Sequence, residues 1–197
     1  MKQVEITVAI NGDLNGIMKI LFDKGFSIIR TTRIEDEYLS QKLNELSPDN
    51  ILPILSDAIL LRHLNVNGRI IKLITHKKKT YAENGDVLGL EETNVPCGDL
   101  AAAKKLFENI GFQNLVNVNY DMVVMSNGQI ELAFQTVEGL GLMLECESTQ
   151  DFADKSNEEI LQEKARLIEE AKAQGIEINE IREIKKAYEL LKMRLKS

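Results

Sequence analysis

The 197 residues carry 24 Lys+Arg against 31 Asp+Glu, a formal net charge of −7, with 44% hydrophobic and 28% charged residues. That balance excludes a disordered chain, contains no bilayer-length apolar run, and disfavours general nucleic-acid coating, so an anionic ligand needs a local cationic pocket. Cys97 and Cys146, without CxxC spacing or a signal-like segment, lead us to expect a reduced, cytoplasmic protein with no membrane partner.

Residues Glu5–Ile10 alternate polar and apolar character as a half-buried strand does, placing Glu5, Thr7 and Ala9 on one face. Asn11-Gly12-Asp13 breaks that strand. Leu14, Ile17, Met18, Leu21 and Phe22 then recur at helical spacing, with Asp13 as N-cap and an end near Gly25. Phe26–Tyr38 has strand-like portions, and Leu39–Asp57, with Pro48 and Pro53, reads as loop or short helix. Leu60–Asn65, Arg69–Lys78 and Val87–Val95 read as strands joined by hairpin turns at Asn67-Gly68 and Asn84-Gly85.

The opening pattern then returns. Asp99-Leu100 leads to Leu106-Phe107 and Gly111-Phe112, as Asp13-Leu14 leads to Leu21-Phe22 and Gly25-Phe26, which implies two related strand-helix-strand halves. Val116–Val124, Gln129–Val137 and Leu142–Glu147 supply further strands, separated by Asn127-Gly128 and Gly139-Leu140-Gly141. From Asp151 the composition turns helical. Ile160, Leu161, Lys164, Leu167, Ile168 and Ala171 describe one helix; Ile181, Ile184, Tyr188 and Leu191 describe another, beyond Gly175. With ten Lys/Arg and eleven Asp/Glu, this tail is expected to dock its apolar stripes on the sheet and leave its charges solvated. The reading is one α+β domain over 1–197, with 151–197 as its helical C-terminal part.

Glu145-Cys146-Glu147 puts two carboxylates on one strand face and turns Cys146 away from them. With Glu5, and with Glu91 or Glu92 on a middle strand, they are hard oxygen ligands suited to magnesium or manganese if they converge; of the middle pair Glu91 is the chosen position. Arg62, Lys72 and Lys77 supply the opposite charge and form the expected phosphate-binding set. The competing readings are an exposed acidic pair and a charge-rich sheet edge. His63 and His76 lack metal-ligand spacing, and Asn119 and Tyr120 read as ordinary sheet residues.

Together these features resemble the CYTH superfamily, which contains class IV adenylyl cyclases, thiamine triphosphatases and inorganic triphosphatases. Gln3-Val4-Glu5-Ile6-Thr7 is similar to its Glu-x-Glu-x-Lys signature but keeps the second acidic position alone. Asp36-Glu37-Tyr38, Leu60-Leu61-Arg62, Ile74-Thr75-His76-Lys77, Glu91-Glu92, Glu145 and Glu147, and Tyr188-Glu189-Leu190-Leu191 extend the likeness. The resemblance implies an antiparallel tunnel or barrel of about eight strands in two pseudo-repeated halves, flanked by helices. Its basic residues would grip a triphosphate and its carboxylates would hold a divalent ion. Thr7, Asn117, Asn119 and Gln135 depart from the charged positions of that pattern. The expected function is therefore binding of a small phosphorylated or triphosphate-containing anion with reduced catalysis. Triphosphate hydrolysis, adenylate cyclisation and a non-catalytic interaction role, as in a homodimer, stand as alternatives.

Overall fold

In the computed structural model, which describes residues 4–81, 87–179 and 182–196, the alternating segments become eight strands of one antiparallel sheet. These are β1 (Glu5–Ala9), β2 (Ser27–Ser40), β3 (Ile59–Val66), β4 (Arg69–Tyr81), β5 (Val87–Pro96), β6 (Gln113–Ser126), β7 (Glu131–Val137) and β8 (Gly141–Glu147). The helices are α1 (Leu14–Asp23), α2 (Ile51–Ser56), α3 (Leu100–Asn109), α4 (Asn157–Ala173) and α5 (Lys186–Arg194). Strand order across the sheet is β1-β8-β7-β6-β2-β3-β4-β5.

The two halves expected from the repeat are present. Asp13 caps α1 by accepting from the Asn15 and Gly16 amides, and Asp99 caps α3 through the Ala101 and Ala102 amides. Both helices end in a glycine with positive φ, Gly25 at 84° and Gly111 at 94°, and the next amide in each bonds five residues back, Phe26 to Leu21 and Phe112 to Phe107. Asn67 and Gly68, with φ of 49° and 88°, make the tight β3–β4 turn. The Asn84-Gly85 turn, Gln3 and Ile181 lie outside the described residues.

Both ends of the strand order pack against α4, so the sheet is curled into a half-barrel. Its convex side carries much of the core: Ile6, Val8, Phe134, Leu144 and Cys146 pack with Ile17 and Leu21 of α1 and Leu167 and Ile168 of α4. Leu21, Phe134 and Leu144 are fully buried, each contributing roughly 1.5–3 kcal/mol relative to exposure. Across β3 and β4, Leu61 and Ile74 meet Ala103 and Phe107 of α3. The concave side differs. Ile51 and Ile54 of α2 and Leu191 of α5 cluster with Val118, Tyr120 and Val137.

The tail meets the sheet through backbone as well as apolar contact. Asn179 N donates to Ala9 O at 3.1 Å and Ile184 N to Thr7 O at 2.7 Å, covering the free edge of β1. The last helix begins at Lys186, so Ile184 precedes it. Leu161 is exposed, whereas Lys164 is buried against Glu183 at 2.8 Å, reversing the expected placement of the apolar and the charged side chain.

Candidate functional site

The concave face encloses a cavity of about 500 Å³. Strand alternation decides which residues reach it. On β1 and β8 the inward positions include Glu5, Thr7 and Glu145; on β2, Arg30, Thr32, Ile34, Asp36 and Tyr38; on β3, Leu60, Arg62, Leu64 and Val66; on β4, Ile71, Lys77, Lys79 and Tyr81. The start of α5 closes part of the wall with Lys185 and Lys186.

Four of the expected site residues, Glu5, Arg62, Lys77 and Glu145, therefore line one cavity. The other three do not. Glu147 lies directly opposite Glu5 on the same face, but it is exposed and outside the lining. Burial, then the Glu5 and Glu145 carboxylates, raises its pKa. Lys72 sits on the opposite face of β4, across from His63. Glu91 is exposed on the convex face across from Lys78, and Glu92 is the inward member of that pair. Asn117 and Asn119 also face outward, lining a groove with Glu37, His63 and Lys104, so their neutrality takes no charge from the cavity.

The cavity cations divide into held and unheld groups. Asp36 accepts from Arg62 Nε and Nη2, both at 2.7 Å, a bidentate pair with Asp36 3% exposed. Arg62 Nη1 is 3.8 Å from Glu92, and Glu92 holds Lys77 at 2.9 Å. Burial opposes ionisation of Glu92, but Lys77, Asn94 and Arg62 lower its pKa. Lys79 and Lys185 make no ion pair within 4 Å among the described residues. Burial, Lys77 and Lys186 all depress the Lys79 pKa, with Glu5 acting in the opposite direction.

Lys186 was hidden in the tail pattern. Its ammonium donates to Gln135 Oε1 at 2.6 Å, approaches Glu145 Oε2 at 3.4 Å, and stands 4.7 Å from the centre of the Tyr120 ring. Thr7 Oγ1 donates to the same Glu145 oxygen at 3.2 Å. Two of the departures from the charged pattern are thus used: Thr7 and fully buried Gln135 hold Glu145 and Lys186 in place. Burial works to raise the Glu145 pKa, yet Lys186, Gln135 and Lys77 bring it below its ordinary value. Glu5 goes the other way, raised by burial and by Glu145. Burial likewise raises the Tyr38 and Tyr120 phenols, keeping both neutral.

The expected metal ligands do not form a cage. Among the described residues no three His, Cys, Asp or Glu side chains gather closely enough to hold a metal ion, and the cation beside Glu145 is Lys186. Lys79 was legible, being two residues from Lys77 and hence on its face; Lys186 and the Asp36 partner of Arg62 gave no such signal.

No family description and no curated protein matches the chain. Solved structures do share its fold. The PH1819 protein of Pyrococcus horikoshii OT3 superposes with a TM-score of 0.71 at 22% identity, covering 98% of this chain and 99% of that one. An adenylate cyclase candidate from Vibrio parahaemolyticus reaches 0.61 at 16% identity over 96% and 98% of the two chains. HpAC1, an adenylyl cyclase candidate from Hippeastrum, reaches 0.58 at 13% identity over 98% and 96%. The curled antiparallel sheet is therefore a fold shared with these solved structures, and it is the eight-stranded antiparallel architecture expected from the sequence. Among the described residues no helix is long and apolar enough to cross a membrane.

Proposed function

We propose that the protein binds a small, multiply charged phosphate compound inside the curled sheet. The observation that carries this reading is the convergence of Lys77, Lys79 and Lys186 on one cavity, close enough for the first and third to depress the pKa of the second. Gathering ammonium groups out of bulk water opposes folding, and a polyanion placed among them reverses the sign of that interaction. Lys185 and Lys186 also stand at the N-terminal end of α5, where the helix dipole disfavours cations and favours an anion. Arg62, held on Asp36, supplies a fixed positive wall.

Lys186 already neutralises Glu145, so the anion should bind without a divalent ion. Titration with inorganic tripolyphosphate at low salt should show binding in the presence of a chelator. Affinity should fall as salt rises, because the attraction is electrostatic. Failure to bind at low salt, with and without magnesium, overturns the proposal.

A second reading, hydrolysis of a triphosphate, is favoured by Glu5, whose raised pKa beside the lysines suits a proton-carrying role. The Hippeastrum protein is described as having a dominant triphosphatase activity. Phosphate release from tripolyphosphate that disappears in Glu5→Gln, with binding retained, would select this reading over binding alone.

A further inference from the structure

The phosphate-binding reading leaves part of the cavity unexplained. Next to the Asp36–Arg62 rung of β2 and β3, the inward side chains turn apolar. Ile34 lies directly opposite Leu64, and Leu64 opposite Ile71. One rung further, Thr32 lies between Val66 on β3 and Met122 on β6. All six line the cavity. Leu64, Val66, Ile71 and Met122 are half-buried, so apolar surface on two successive rungs faces the cavity rather than packing shut.

Thr32 adds an independent observation. It is 6% exposed and lines the cavity, and its hydroxyl oxygen has no hydrogen-bond partner among the described residues. Unpaired and closed off from the cavity, this hydroxyl makes the Thr32 side chain part of the apolar rung formed with Val66 and Met122. Along β2 it stands between Arg30 and Ile34, on the far side of the Ile34 rung from Asp36 and Arg62.

Resting on the phosphate reading above, we infer that the ligand is an organic phosphate with an apolar body. The phosphates meet the lysines, and an alkyl or isoprenoid-like chain passes the Asp36–Arg62 rung to cover the Ile34–Leu64–Ile71 wall and the Thr32–Val66–Met122 rung beyond it. A nucleoside fits this wall poorly. Ile34, Leu64, Val66, Ile71 and Met122 offer no side-chain donor or strong acceptor to a base edge, and burying unpaired polar atoms against them is unfavourable. The cavity, at about 500 Å³, is within the range that encloses a small organic ligand.

The test compares three probes carrying equal numbers of phosphates: inorganic diphosphate, ADP and geranyl diphosphate, titrated calorimetrically against the full chain. Geranyl diphosphate should bind at least about tenfold more tightly than inorganic diphosphate, since two buried methylene groups suffice for that ratio. Leu64→Ser, or Met122→Ser should the first variant fold poorly, should bring the ratio toward one. Equal affinities for inorganic and geranyl diphosphate, tighter binding of ADP, or a ratio insensitive to these variants overturns the inference while leaving the phosphate site standing. If none of the three probes binds, the phosphate reading itself fails.

Discussion

Lys79 separates what serves the fold from what serves a ligand. Its pKa is lowered from 10.5 by burial first and then by Lys77 and Lys186, so the charged form is less stable in the folded chain than in the unfolded one. Between the lowered value and 10.5 the unfolded chain binds more protons, and stability must climb as pH rises through that window. Lys79→Met should remove the climb, raise stability at neutral pH by about 1 kcal/mol, and weaken tripolyphosphate binding. Denaturant melts at neutral and alkaline pH would check this, and a less stable variant would show that Lys79 is structural. At this scale the sequence was legible wherever a two-residue spacing set the face, as for Glu5 and Thr7 or Lys77 and Lys79. It failed where positions of the wrong parity were selected: Lys72 alternates away from Lys77 and Glu91 away from Glu92, and Asn117 and Asn119 also turn outward. Partners distant in the chain, such as Gln135 for Lys186, leave no local trace.

The elements show a different balance. Caps and terminal glycines of α1 and α3 are local chemistry, and Asp13, Asp99, Gly25 and Gly111 occupy the expected places. The tail is set by tertiary contact instead. Lys164 of α4, 5% exposed, pairs with Glu183 at 2.8 Å, and the same Glu183 oxygen accepts from the Val87 amide at 3.0 Å. This joins α4, the segment before α5 and the start of β5 at one buried point, immediately before the lysines that enter the cavity. Lys164→Met would leave the Glu183 carboxylate buried without its cation, which costs roughly 3–5 kcal/mol. Lys172→Met, breaking an exposed pair with Glu169, should cost under about 1 kcal/mol. Equal losses in chemical denaturation would mean that the buried junction contributes nothing beyond a surface pair. A charged helical tail reads as solvated from its composition because composition carries no information about which faces are later covered.

For the whole molecule, the repeat has a consequence that neither half shows alone. Each unit runs strand, helix and three strands, with α2 inserted between β2 and β3 of the first: β1, α1, β2, α2, β3, β4, then β5, α3, β6, β7, β8. The first strand of each joins the last strand of the other, β5 beside β4 and β1 beside β8, while β2 and β6 pair at the centre. The β4–β5 join is local in sequence. The β1–β8 join pairs Glu5 with Glu147, so residues 5–147 close into a loop before its hydrogen bonds form. That closure also brings Glu5 and Thr7 to the cavity, making the site a product of the least local strand pairing in the sheet. Hydrogen exchange under increasing denaturant should therefore find two classes of amide. Those of β2 and β6, paired on both sides within the sheet, should exchange through global unfolding. Those of β1 should open at lower free energy, and bound tripolyphosphate should raise their protection more than that of β2. If β1 and β2 share one protection level at every denaturant concentration, closure of the half-barrel is inseparable from folding of its centre.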